Sequence, residues 1–340
     1  LVGELTRRGH EVHLFCPDFA NCDAVATRFG ITIHPFTGWE MNRHTRLRSL
    51  KYLAYPGALR RLVRRAARDI SFDVLLSQHA ISAVAAGRLK TDLGVPVVMN
   101  FLDFLSGFME SWPTWTMPRF VLRRLMAYEL SLPQRHDADA VLTVSDELAS
   151  RFVETGYAND QLQTIHYGYD AKLFQLLTAH HSPLTIAMHG SFDTHHLGPI
   201  AVRAITQIAL ARQDTHFLFI GRETNAVKNL AKCVLSVAPS AKIECTGFVP
   251  YGEVTERLGQ AGVGIIPYES SSGAHCAFVA KLVKYAALGL PVVSTPLDSM
   301  KAFFGNNPSV RLSLFDGEQF ANDVILILDN PPTRAESIRL

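Results

Sequence analysis

The chain lacks any apolar run of the about 18 to 20 residues that a membrane-spanning helix requires, so no segment reads as transmembrane. It also lacks a GxGxxG turn, which argues against a dinucleotide oxidoreductase. Its five cysteines (Cys16, Cys22, Cys233, Cys245 and Cys276) form no CxxC pair and no disulfide-framework spacing. That usage predicts reduced, mostly buried thiols and a cytoplasmic protein. Cys16 and Cys22 with a nearby histidine lack the ligand spacing of a zinc site. Excess charge is missing as well: a net charge of +2 gives no basis for nucleic-acid binding. Acid is locally absent, since nine Lys or Arg and no Asp or Glu fall between Met41 and Arg68. No signal-peptide pattern is read in these residues, and because the chain opens at Leu1 without Met that absence carries little weight.

What is present suffices for two α/β domains, because 340 residues with 48% apolar content can bury two cores. The opening LVGELTRRGHEVHLFCP reads as the end of an amphipathic helix, a stop at Gly9 and a strand over residues 11–16. Such a helix normally follows a strand and loop, so the expectation is a chain that lacks its first strand. Further strands are expected over residues 72–77, 96–100 (PVVMN) and in ADAVLTVS, with a helix over residues 117–135 and a helix capped by Ser145. LLTAHHSP, residues 176–183, breaks the pattern as a linker. The alternation then resumes with LTIAMHGS, THFLFIG, AKIECTGFVP, AGVGIIPY, a helix from about His275 and PVVSTP. Short apolar strands alternating with helices predict two doubly wound, Rossmann-like domains, residues 1–178 and 179–340. Ligands of such sheets bind beyond the carboxyl ends of the strands, here expected in a cleft between the domains.

The segments VLTVSDELASRF, TIHYGYDAKLF, FLFIG, TGFVPYGEVTERLGQAGVGIIPY and AKLVKYAALGLPVVST occur in the order seen in GT-B glycosyltransferases. The chain resembles the group 1 / family 4 type of that fold over about residues 1–328, and AKLVKY resembles a stretch of the membrane-associated bacterial β-glucuronosyltransferases. The resemblance implies a hexosyl- or glycuronosyltransferase. It would use a nucleotide-diphosphate sugar, UDP by preference, bound in the C-terminal domain, with the acceptor in the N-terminal one and neither metal nor other cofactor. Two glutamates of the large retaining family align with Cys276 and Lys284, and its Arg and Lys after the first strand of the second domain align with Ser191 and His196. A lysine cannot accept a ribose hydroxyl's hydrogen bond, so an inverting reaction fits better than a retaining one.

A departing diphosphate needs cations or helix N-termini aimed at it. Lys281 and Lys284 stand three apart on one predicted helix, and the 270–273 loop before it, with Ser272 and Gly273, offers backbone N–H groups. A solvated helix face is the alternative for both lysines. Gly190 and Ser191 follow TIAMH, where a tight turn admits the donor; Arg222 follows FLFIG and meets phosphate or ribose or pairs at the surface; Phe248 lies in the TGFVP loop; Tyr268 closes GIIPY and stacks on or hydrogen-bonds to the nucleotide or packs in the core. An inverting reaction needs a base in the first domain. Asp103, just after PVVMN, is the candidate, against a reading as a loop carboxylate. His79 is the second catalytic candidate and Glu110 the third.

Asp137–Ala–Asp139 matches a DxD metal motif by letters but sits in a helix-to-strand turn, and His180–His181 and His195–His196 lack further ligands at fixed spacing. The basic residues 43–68, interleaved with Leu, Tyr and Val, suit an anionic membrane surface, as does the 104–120 loop with Trp112 and Trp115. The expectation is a lipid-linked or polysaccharide acceptor and peripheral attachment to the inner face of the cell membrane. Two other readings stay open: a non-catalytic nucleotide-sugar-binding protein and a sugar-nucleotide epimerase.

Overall fold

The computed structural model describes residues 2–36, 48–174 and 182–332, with the side chains of residues 48–53, 182 and 183 left out. Basic residues 43–47, the expected linker as far as His181 and the pair His180–His181 therefore lie outside the described residues. The chain packs as two units, residues 1–101 with 131–141 and residues 102–130 with 142–340. This division differs from one at residue 178. Residues 102–130 join the second unit because the turn Gly107–Ser111 meets Gly273 backbone to backbone: a Cβ on Gly107 would lie 2.5 Å from the Gly273 nitrogen.

The first unit opens with α1 (Val2–Arg7), β1 (His13–Pro17), α2 (Cys22–Phe29) and β2 (Thr32–Phe36). β1 and β2 pair in parallel, His13 beside Thr32, as a two-stranded sheet of their own. Then come α3 (Arg48–Ala66), β3 (Leu75–Gln78), α4 (His79–Leu93) and β4 (Val97–Phe101). Gly30 and Gly94 end α2 and α4 in the left-handed conformation, a cap that glycine adopts without a Cβ penalty. The small residues of α4 permit close packing, and a Cβ on Gly87 would lie 2.2 Å from His136. Arg60 reaches from α3 to Asp92 at the end of α4 with two 2.6 Å hydrogen bonds. Asp137 and Asp139 are spent on structure: both pair with Lys90, and Asp139 accepts the Val97 N–H at 2.7 Å, fixing the start of β4.

The chain continues through α5 (Arg119–Arg135), β5 (Ala140–Thr143), α6 (Asp146–Glu154) and β6 (Leu162–Thr164), and β3, β4, β5 and β6 form a four-stranded sheet in that order. Ser145 caps α6 by accepting the Leu148 N–H, and Asp146 and Glu147 complement the helix dipole.

The second unit's main sheet contains β7 (Ser182–His189), β8 (His216–Ile220), β9 (Lys242–Cys245), β10 (Ala261–Ile266), β11 (Val292–Ser294) and β12 (Val310–Leu312). These run in parallel in the order β12-β11-β10-β7-β8-β9. Around them lie α7 (Pro199–Ala211), α8 (Asn225–Val237), α9 (Tyr251–Gly259), α10 (Ser272–Cys276), α11 (Ala280–Ala287), α12 (Asp298–Phe304) and α13 (Gly317–Asp329). The helix expected from about His275 is thus two helices. The Ser145 hydroxyl donates to the Cys276 carbonyl and the Ser299 hydroxyl to the Ala277 carbonyl, each at 2.5 Å, so neighbouring elements satisfy the backbone where the helix breaks. Of the five cysteines only Cys276 is buried, against the expectation of mostly buried thiols. Its thiol is pushed up to about 12, chiefly by desolvation.

Candidate active site

Strand order reverses at β7: the chain steps to β8 and β9 on one side, then returns to β10 on the other. In a doubly wound sheet the ligand crevice opens at that point, beyond the carboxyl ends of the two strands. Here those ends carry Gly190 after β7 and Tyr268 after β10. α11 is fixed above them by Tyr285, whose hydroxyl receives the His189 N–H at 3.0 Å and meets the His189 ring at 3.1 Å. Lys281, one turn earlier on α11, shares the Tyr285 face and reaches the same place. Its amine donates to the Tyr268 hydroxyl at 2.6 Å. Its Cε would lie 3.0 Å from a Cβ on Gly190, where φ is +107°, so glycine answers both the backbone and the space.

Lys281 is half-buried as a whole residue, and its amine lies deep among protein atoms. Desolvation lowers the amine to about 8, with the Lys284 charge adding to the effect and Asp103 and Asp193 opposing it. Lys281 makes no ion pair among the described residues. A desolvated cation without a counter-ion is a costly arrangement that an anionic ligand would relieve.

Asp103 follows β4 and belongs to the second unit, in the electrostatic reach of Lys281. Burial raises its carboxyl to about 6; Lys281 pulls it down and Glu129 pushes it up. The loop that carries Asp103 is held by Glu129 of α5, a buried carboxylate that accepts the Leu105 N–H at 3.1 Å, the Ser106 N–H at 2.8 Å and the Ser106 hydroxyl. Tyr167 also feels Asp103, and burial lifts its phenol to about 12. Sequence reading missed Glu129 and Tyr167; the first is a lone acid in an otherwise basic helix, whose burial only the structure reveals.

The loop after β7 adds Asp193, His195 and His196, whose ligand atoms lie within 4.8 Å of one another. Asp193 is the third group that the sequence did not supply to the histidine pair. Desolvation drives His195 down to about 4 and His196 well below the ordinary histidine value, so both rings are neutral at pH 7. The His196 Nδ1 is occupied by the Asp193 N–H at 3.2 Å. The Lys281 charge acts on both rings and would oppose a dication placed among them.

The remaining candidates divide. Ser191 is exposed beside Gly190, Arg222 is exposed without an ion pair among the described residues, and Phe248 is 83% exposed beyond β9. Lys284 faces other partners than Lys281, its amine lying 4.9 Å from the centre of the Tyr251 ring and 5.6 Å from that of Phe174. The Ser272 N–H is taken by Glu110 at 2.5 Å and the Ala274 N–H by Ser271, so these amides of the loop are not free. Gly273 serves close packing, since its Cβ would lie 2.3 Å from the Phe108 nitrogen. His79 lies in the first unit, at φ 62°, a strained conformation for a non-glycine residue. Its Nδ1 is buried without a hydrogen-bond partner among the described residues, and desolvation lowers its pKa.

Residues 1–173 match the family model described as Glycosyltransferase Family 4, and residues 183–330 match that described as Glycosyl transferases group 1. The chain belongs to glycosyltransferase family 4. No curated protein sequence matches it. Among solved structures, the glycosyltransferase is similar to Anabaena HepE in complex with UDP and glucose, at TM-score 0.72 and 14% identity, over 99% of this chain and 88% of that one. It is also similar to sucrose-phosphate synthase from Thermosynechococcus elongatus, at TM-score 0.77 and 12% identity, over 99% and 84% of the two chains. A third is a putative UDP-N-acetylglucosamine 2-epimerase from Listeria monocytogenes, at TM-score 0.57 and 13% identity, over 99% and 85%. At such identities the likeness establishes the fold, GT-B, with its two parallel-sheet α/β domains; the family match identifies the enzyme as a glycosyltransferase.

Proposed function

We propose that this glycosyltransferase transfers a sugar from a nucleoside-diphosphate sugar, with Lys281 on the diphosphate and Asp103 as general base. The observation that carries the reading is the enclosed Lys281 amine at the switch point of the sheet, which has no ion pair among the described residues. HepE structures contain UDP, UDP with glucose, or UDP-glucose, and a uridine diphosphate sugar is the donor carried over to this chain. The Asp103 carboxylate takes the acceptor hydroxyl's proton while the oxygen attacks the anomeric carbon. The bond from that carbon to the diphosphate breaks, its electron pair leaves on the phosphate oxygen, and Lys281 and the Tyr268 hydroxyl face the developing charge. A single displacement inverts the anomeric centre. Among the described residues, nothing in this scheme calls on a metal, another cofactor or a nucleic-acid partner.

The acceptor in this reading is lipid-linked or a polysaccharide, and the protein attaches peripherally to an anionic membrane. Arg61, Arg64, Arg65 and Arg68 of α3 and its continuation line a cavity of about 460 Å³, a basic surface suited to phosphate headgroups. No helix among the described residues is long and apolar enough to cross a membrane. Flotation with anionic vesicles, lost as salt rises, is the expected behaviour, and failure to float at low salt would remove the membrane part.

Titration calorimetry with UDP and GDP, on the native protein and Lys281→Ala, tests the donor assignment. Micromolar UDP binding that weakens at least tenfold in the variant is expected; no binding of either nucleotide would overturn the assignment.

A further inference from the structure

A second cavity, of about 620 Å³, opens in the segment between the Asp103 loop and the middle of α5. Its wall is unusual for this chain: Met109, Met117 and Met126, three of the seven methionines, line it together with Trp112 and Leu122. Unbranched, polarisable methionines fit a flexible hydrocarbon better than a rigid sugar. Two arginines, Arg119 and Arg123, line the same cavity. They stand four apart on α5, on one face of the helix, and neither makes an ion pair among the described residues. Glu110 is the one acid in the lining, and its carboxylate is engaged by the Ser272 N–H.

Each half of this lining lacks a reason without the other. A bare phosphate does not need methionines and a tryptophan, and a bare hydrocarbon does not need a pair of guanidinium groups whose planar forks match phosphate oxygens. Nearby on the chain, Trp115 is 74% and Phe120 61% exposed, aromatic side chains of the kind that rest at a membrane interface. The turn Gly107–Ser111 leads from this cavity back to the loop of Asp103.

We propose that the cavity binds the phosphate and the first carbons of the hydrocarbon tail of a lipid-linked acceptor, Arg119 and Arg123 holding the phosphate and the three methionines the tail. This rests on the glycosyltransferase reading given above and names its acceptor class. The phosphate end would orient the attached acceptor hydroxyl along the turn towards Asp103, while the tail leaves past Trp115 and Phe120.

Farnesyl phosphate, below its micellar concentration, is the probe, with farnesol and inorganic phosphate as its two halves and UDP titrated into the same preparations. Saturable binding of farnesyl phosphate is expected, at least tenfold tighter than either half. Arg119→Glu/Arg123→Glu should weaken it at least tenfold and leave the UDP isotherm unchanged. If the double reversal disturbs the circular dichroism spectrum, Arg119→Gln/Arg123→Gln and Met126→Glu are read instead, with the same expected loss. Absence of saturable binding, unchanged binding in these variants, or equal affinity for inorganic phosphate would each overturn the proposal. Farnesyl phosphate binding without UDP binding would instead sink the donor assignment and leave this lipid site standing.

Discussion

The amine of Lys281 sits 2.6 Å from the hydroxyl of Tyr268, a phenol that burial keeps protonated. The amine donates to the phenol oxygen, which leaves the phenol's own hydrogen available to a second acceptor. Cation and hydroxyl therefore present two donors to one point, an arrangement suited to adjacent phosphate oxygens.

Asp103→Asn keeps the side chain's size and removes the base. We expect kcat to fall on the order of 100- to 10,000-fold, with UDP affinity changed little. The folded protein raises this carboxyl from 3.8 to about 6, so it binds the proton more tightly than the unfolded chain; the penalty for ionising it builds between those two values and is felt in full above about pH 6. Asparagine escapes that penalty, and its melting temperature at pH 7.5 should equal or exceed that of the native protein.

The profile of kcat/KM against pH should be bell-shaped. Activity rises as Asp103 loses its proton near about 6, and falls as Lys281 loses its own near about 8. Lys281→Ala should abolish the falling limb. It should also move the rising limb to higher pH, because the lysine's charge holds Asp103 down.

Gly190→Ala tests the floor of the site. At φ +107°, with Lys281 Cε 3.0 Å from the added carbon, the substitution should cost about 1–3 kcal/mol of stability. Calorimetric melting reads the stability, and UDP titration should show at least fivefold weaker binding as Lys281 is displaced.

Glu129→Gln puts an amide nitrogen among three donors that all seek oxygen. We expect kcat to drop about tenfold, the order given by 1.4 kcal/mol, with UDP binding unchanged within twofold. Loss of the Glu129 charge should also shift the rising limb of the pH profile downward. A purely structural role would leave that limb in place.

The alternation of strands and helices was readable because buried parallel strands are short apolar runs, and β4, β8 and β10 fall within two residues of those runs. Gly190, Tyr268 and Lys281 could be named from their places after strands and on a helix, and the structure gathers them. The break between α10 and α11 could not be read, since it depends on hydroxyls of Ser145 and Ser299 that are remote in sequence. Glu129 was hidden for the same reason: its partners lie 23 and 24 residues away, and an acid within an arginine-rich helix reads as a surface charge. Lys281 and Lys284 looked alike at a three-residue spacing, yet α11 aims one at Gly190 and gives the other to Tyr251 and Phe174.

β1 pairs only with β2, and β3 only with β4, so among the described residues each strand keeps one bare edge. Beside the second edge, Val74 and Leu76 are 52% and 41% exposed. Phe72, just before β3, meets His13 and Phe15 of β1 with ring centroids 5.7 and 6.1 Å apart, so among the described residues aromatic contacts rather than a backbone ladder join the two sheets of this unit.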